Sequence, residues 1–194
     1  MNRYIRLRQK ALEILNTELP EELYYHDIGH ILDVLYVVNR YIRRHEIDKI
    51  NGNLLRIGAL LHDIGFTRTK IEHEAKGAEI AKELMPQFGY TEEEIKIVQD
   101  LIMATKIPQS PKTEMERIIC DADLDYLGRR DFYDIGEKLY KELKFAGVVD
   151  NQDDWNKLQI KFLTSHSYHT EFAKTNRQPN KEKRIEELKA LFED

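Results

Sequence analysis

The chain has 194 residues, 34% charged and 41% hydrophobic, and its 30 Lys and Arg against 35 Asp and Glu leave a net charge of −5. That length suits roughly one domain with a core of its own, and Cys120, the sole cysteine, excludes an internal disulfide and a thiolate zinc site. Apolar runs such as Ile57–Leu61 fall far short of the ~20 residues of a membrane span, and the mild acidity argues against general nucleic-acid binding.

At the amino terminus, Arg3, Arg6, Arg8 and Lys10 are not followed by the apolar stretch of about 7–15 residues that a secretory leader carries. Ile5, Leu12, Leu15 and Leu19 recur at helical spacing, which predicts an ordinary first helix and a cytoplasmic protein. Ile31, Val34, Leu35, Val38 and Ile42 stripe a second helix from about Asp27 to Arg44. Asn53–Ile64 is apolar nearly all round, the pattern of a central buried helix, and Gly65 supplies a stop. Glu72–Met85 reads as a helix ended by Pro86 and Gly89. Thr91, with Glu94 at the capping-box position, opens a helix carrying Ile95, Val98, Leu101 and Ile102. Pro108 and Pro111 make Lys106–Lys112 a loop. Helical pattern resumes over Thr113–Cys120, and three more helices are predicted at about Asp131–Phe145, Asp153–Thr170 and Lys181–Phe192. No segment alternates long enough to be a strand. The expectation is one all-α domain over residues 1–194, with Cys120, Tyr140 and Trp155 in the core.

Chemistry is carried by polar groups placed where such a core should be apolar. His62-Asp63 closes the most hydrophobic helix, and an ionised carboxylate there is costly unless paired or bound to a metal. His26 and His30 are four apart and share a face if they open the second helix. Asp121, Asp123 and Asp125 crowd three carboxylates into five residues, which repel unless a cation neutralises them. The glycine and later acidic ligands of a calcium loop are missing there.

In this order, His30, His62-Asp63 and one Asp of 121–125 form an N₂O₂ donor set. The set resembles that of the HD-domain superfamily of metal-dependent phosphohydrolases, whose pattern is a His, a His-Asp doublet and a distant Asp. Tyr25-His26 with His30 is similar to the start of the cyclic-nucleotide phosphodiesterase subset, and Leu61-His62-Asp63-Ile64-Gly65 is a common form of the doublet. Asp121–Gly128 resembles the final motif shortened by one residue, so Asp121 rivals Asp123 as the ligand.

The resemblance implies a helical bundle of the HD type, with its metal-binding core at about 20–130 and helices 131–194 packing on it. It implies a divalent ion held by His30, His62, Asp63 and Asp123; imidazole and carboxylate donors suit Mn, Fe, Co, Ni or Mg. One ion is favoured. His73 fits a second site, but no His falls near Ala104-Thr105-Lys106 to complete it. The implied reaction is hydrolysis of a phosphomonoester or phosphodiester of a nucleotide by water activated at the ion, with Asp63 in the catalytic machinery. His26 is then the acid for the leaving oxygen, and His73 a substrate-side group or weak second-site ligand. Lys106, then Arg68 and Lys70, are the cations placed to meet phosphate. His166, His169 and Thr170, on one face of a single helix, either close the pocket over the substrate or form a polar surface. Phe66 stands where several subfamilies carry Lys, which keeps a non-catalytic regulatory module, binding metal and nucleotide or a protein partner, as the alternative. The expected partner is a small phosphate-containing substrate, without membrane or general nucleic-acid binding; a homodimer stays open.

Overall fold

The computed structural model describes residues 2–193, and among them there are α-helices and short 3₁₀ turns but no strand. The α-helices are α1 (Arg3–Glu18), α2 (Ile28–Arg44), α3 (Lys49–Leu61), α4 (His73–Leu84), α5 (Glu92–Ala104), α6 (Glu114–Asp123), α7 (Phe132–Phe145), α8 (Gln152–Ser165), α9 (Glu171–Asn176) and α10 (Gln178–Ala190). The all-α expectation holds. None of these helices is long and apolar enough to cross a membrane. The chain divides into two compact units: the residues up to Glu21 with His26–Asp123, and Glu22–Tyr25 with Leu124 onward.

In the first unit α3 is the central rod, packed against α1, α2, α5 and α6. Leu54, Leu55, Ile57, Leu60 and Leu61 are essentially buried, and each such side chain contributes about 1.5–3 kcal/mol. A Cβ at Gly58 would lie 3.0 Å from Leu101 Cδ1 and 3.1 Å from Ile119 Cδ1, so this glycine lets α5 and α6 close on α3. Thr91 accepts from the Glu94 backbone, and the Glu94 carboxylate accepts from the Thr91 N–H, completing the predicted capping box. Cys120 is buried, as expected.

Three local expectations are corrected. The buried stripe of α1 is Leu7, Ala11 and Leu15, at strict four-residue spacing, whereas Ile5 lies roughly 80° around the helix from Leu15 and is 43% exposed. The central helix stops at Leu61 rather than Ile64, and a 3₁₀ turn over Ile64–Thr67 follows the His-Asp doublet. Gly65 is no left-handed stop. It sits where a Cβ would be 1.8 Å from the His73 carbonyl oxygen, so it permits the turn to touch α4 backbone to backbone.

The second unit buries Tyr25, Leu124, Tyr126, Leu127, Phe132, Leu163, Tyr168, Ala173 and Leu188. Asp125 is 1% exposed and takes two hydrogen bonds from Arg177, at 2.7 and 3.2 Å. That carboxylate is therefore neutralised by a guanidinium. The Tyr168 hydroxyl donates to Leu124 O, and the buried Lys181 ammonium donates to His166 O. Trp155 is buried and stacks near Tyr140, with centroids 6.1 Å apart. The single helix predicted over Asp153–Thr170 is broken: α8 ends at Ser165, His166 is extended (ψ 139°), and Thr170 caps the separate α9 by accepting from Ala173 N–H. His166, His169 and Thr170 thus do not share a helix face.

Candidate metal centre

Each donor is positioned by a helix end in the first unit. The Asp27 carboxylate caps α2 by accepting from His30 N–H at 2.8 Å, which fixes His30 in the first turn. His62 caps the carboxy end of α3 with αR backbone, and Asp63 follows at φ −105°, ψ 5°. Asp123 is the last residue of α6. Helix ends expose side chains toward a common point while the rods behind them stay apolar, so a dense core and a polar centre coexist.

The side chains converge. His30 Nε2 lies 3.2 Å from His62 Nε2, 3.1 Å from Asp123 Oδ1 and 3.4 Å from Asp63 Oδ2. His62 Nε2 lies 3.1 Å from Asp63 Oδ2 and 3.4 Å from Asp123 Oδ1. Ligands about 2.1 Å from one ion stand about 3.0 Å apart at right angles and about 3.4 Å apart at tetrahedral angles. The observed spacings fall in that interval. His30, His62 and Asp123 satisfy the geometry of a metal-binding group among the described residues. Asp123 reaches the cluster, and Asp121 is fully buried in α6.

Two details point to a cation. The His62 Nδ1–H donates to Ala59 O at 2.9 Å, which fixes the tautomer and leaves the Nε2 lone pair facing the cluster. Asp63 Oδ2 is buried with no hydrogen bond, although it faces both imidazoles. A buried carboxylate oxygen left this way is costly unless positive charge balances it. The electrostatics agree. Burial works against the His62 imidazolium, but the Asp63 and Asp123 carboxylates outweigh it and raise its pKa well above 6.5. Burial likewise opposes ionisation of Asp123, yet the His30 and His62 contacts bring its carboxyl down to about 2. Asp63 is held well below 3.8, mainly by His62 against the burial penalty. The cluster is built to hold positive charge, and a divalent ion competes with protons for it.

Around this centre sit the other residues singled out from the sequence. His73, first residue of α4, places Nε2 3.4 Å from Asp63 Oδ1. The His26 ring is 6.0 Å from that of His30 and 6.3 Å from that of His73. The predicted phosphate cations are engaged elsewhere: Arg68 pairs with Glu18, and Lys106 with Glu72. His166 and His169 belong to the second unit, where His166 is buried beside Lys181.

Sequence reasoning missed what aims the histidines. Phe66 stacks on His73 (centroids 3.9 Å, planes 19° apart) and packs on His26 at 4.6 Å. Glu72, the residue before α4, adopts left-handed backbone (φ 54°), which re-aims the chain into His73. In sequence, Phe66 showed only as a missing Lys, and Glu72 gave no signal, because a glutamate adopts that conformation uncommonly and nothing local marks where.

The helix ends of this all-α fold gather a His, a His-Asp doublet and a distant Asp into a donor group that could hold a metal ion. The family model described as HD domain matches residues 27–125, and the chain belongs to that family. Relatives are partial. An uncharacterised protein of Clostridium beijerinckii is 32% identical over 44% of this chain and 55% of its own length. An uncharacterised protein of Methanocaldococcus jannaschii is 38% identical over 39% of this chain and 44% of its own length. The bifunctional uridylyltransferase/uridylyl-removing enzyme of Cereibacter sphaeroides is 36% identical over 31% of this chain but only 8% of that enzyme. The chain therefore spans about half or less of the curated relatives it matches. No solved structure matches it.

Proposed function

We propose that this protein is a metal-dependent phosphohydrolase that cleaves a small phosphate ester, a monoester or diester of a nucleotide. The observation that carries this reading is the convergence of His30, His62 and Asp123 at 3.1–3.4 Å spacings, with the Asp63 Oδ2, buried and without a hydrogen bond, 3.1–3.4 Å from both imidazoles. Membership of the HD family supports the reaction class, and the uridylyl-removing activity in one relative's name fits chemistry at a nucleotide phosphate.

When bound, the divalent ion supplies Lewis acidity, drawing charge from a phosphoryl oxygen and making water acidic enough to attack at neutral pH. The protein's own groups do the rest. Asp63 would help to hold the ion, and its Oδ1 stands 3.4 Å from His73 Nε2, so it orients His73 toward the reacting face. His26, half-buried beside His30 and Phe66, holds a ring N–H for the leaving oxygen, a role worth about 10²–10⁴-fold. His73 binds the substrate side.

The test is elemental analysis of the purified protein, followed by hydrolysis of a nucleotide mono- and diester panel with Mn, Fe, Co, Ni and Mg each supplied. About one ion per chain and turnover lost in Asp63→Ala support the proposal; full turnover in that variant overturns it. Ion uptake with no product across the panel identifies a regulatory module instead, the reading favoured by the ion pairs that engage Arg68 and Lys106.

A further inference from the structure

The second unit contains a cleft of about 280 Å³ between α7, α8 and α10. Its walls are Tyr133, Trp155, Leu188 and Leu191, and its polar end is formed by three amides, Gln152, Asn156 and Gln159. Asn156 and Gln159 are only 6% and 8% exposed. Both glutamine amides donate to one acceptor, Asn156 Oδ1, at 3.1 Å from Gln152 and 3.5 Å from Gln159. This shared acceptor fixes which way the Asn156 amide points. Among the described residues, no hydrogen bond engages Asn156 Nδ2 or Gln159 Oε1. Two nine-tenths-buried residues thus line the cleft with a donor and an acceptor that the protein's own bonds leave open to a ligand or water.

Gly136 adds an independent observation. It lies in the middle of α7 with ordinary helical backbone, where glycine is less favourable than alanine. A Cβ there would fall 3.4 Å from Gln159 Oε1 and 3.9 Å from Trp155 Cζ2, inside the cleft. The position tolerates a methyl group sterically, so the missing side chain keeps the cleft open rather than relieving a clash. Tyr133 at the mouth is held by its hydroxyl bond to Glu187 (2.7 Å) and by Arg184 over its ring.

We propose that this cleft binds an uncharged planar heterocycle through a donor–acceptor edge, the chemistry shared by nucleobases and aromatic carboxamides. The aromatic and aliphatic walls suit a flat ring. The Asn156 Nδ2 donor and Gln159 Oε1 acceptor match the adjacent carbonyl and N–H of such an edge. The volume lies just below the ~300 Å³ lower end for small-molecule pockets, which admits a base, a carboxamide or a nucleoside but no dinucleotide. Among the described residues, Glu137 is the only charged one lining the cleft, and no Lys or Arg lines it to meet phosphate. A phosphorylated ligand is therefore disfavoured. The site is distinct from the His/Asp centre, and its test does not depend on catalysis there.

Trp155 is the only tryptophan in the chain, so its emission reports on this cleft alone. The four ribonucleosides and nicotinamide are titrated against the full chain, with equilibrium dialysis as the second readout and 5′-monophosphates as matched controls. Saturable quenching by a nucleoside or by nicotinamide is expected, and which arm responds separates the two sources. The matching monophosphate should bind roughly tenfold more weakly if a responding nucleoside loses fit through charge beside Glu137. Gly136→Val should abolish binding with the fold intact by circular dichroism, and Asn156→Asp should weaken it about tenfold or more by turning a donor into an acceptor. The proposal is overturned if nothing saturates up to solubility, if Gly136→Val binds as wild type while folded, or if monophosphates bind more tightly than nucleosides. Should Gly136→Val fail to fold, Gly136→Ala, which adds one methyl to the same wall, decides by the same two readouts.

Discussion

Substituting Gly65 by alanine tests how the doublet and α4 are joined. The added Cβ would stand 1.8 Å from the His73 carbonyl oxygen, 2.7 Å from its carbonyl carbon and 2.9 Å from Gly77 N. All three are backbone atoms, so no side chain can swing aside. Ordinary contact needs a retreat of about 1.5 Å by the start of α4 or by the doublet turn. Overpacking of a closed site typically costs 1–3 kcal/mol, and a backbone-to-backbone clash belongs at or above the upper end, about 3 kcal/mol. For a chain of this length that corresponds to a fall in Tm of roughly 6–12 °C. The same retreat separates His73 Nε2 from Asp63 Oδ1, now 3.4 Å apart, and a misplacement of about 1 Å can cost 10²-fold in rate. Thermal melts with and without divalent ion, alongside turnover on the best substrate of the panel, measure both effects. A variant that melts within about 2 °C of wild type and keeps full turnover would refute the claim that this glycine exists for close approach.

Removing one ligand at a time should separate the roles around the ion. His62→Ala and Asp123→Asn should empty the site by elemental analysis and abolish the rise in Tm on adding the preferred ion, which for wild type reflects a stabilisation of about 2.7 kcal/mol at 100-fold excess over Kd. His73→Ala should lower turnover while the ion stays bound; an empty site in that variant would make His73 a ligand. Glu94 is held below 4.5 first by its Arg3 hydrogen bond, with burial opposing and the Thr91 N–H assisting. Its contribution is present above pH 4.5 and is lost as pH falls through the lowered value, so Glu94→Gln should flatten the acid limb of stability and cost about 1 kcal/mol at pH 7. Lys181 is buried, and burial lowers its pKa from 10.5. The folded state therefore disfavours its charged form, and stability should rise as pH increases from the lowered value to 10.5. Lys181→Met should remove that alkaline gain, read as the difference between the two proteins' urea midpoints across the range.

Much of this protein was legible because helical periodicity and punctuation are local. Thr91 and Glu94 specify their own capping box, and Pro108 and Pro111 interrupt any helix they occur in. The apolar run from Leu54 to Leu61 demands burial on all sides. The polar doublet at its end, with His30 upstream, marked the centre because an apolar helix ends on a carboxylate only when something compensates it. The break at Ser165 was less legible. His166-Ser167-Tyr168-His169 carries no Gly or Pro, and what ends α8 is the cap that Thr170 gives to the next helix together with tertiary bonds from Lys181 and Tyr168.

By itself, then, the sequence determined the helical class, the central rod and the residue types that meet at the His/Asp centre, because propensity, capping and the cost of burying charge act over a few residues. Tertiary structure alone decided that Asp123 reaches the histidines, that Arg177 neutralises Asp125, and that Phe66 and Glu72 aim His73. It also decided that Gly136 opens a cleft onto buried amides. These outcomes depend on distances of a few ångströms that helix packing sets, whether the partners are far apart in sequence (His30 and Asp123) or near neighbours (Phe66 and His73), and no local pattern encodes them.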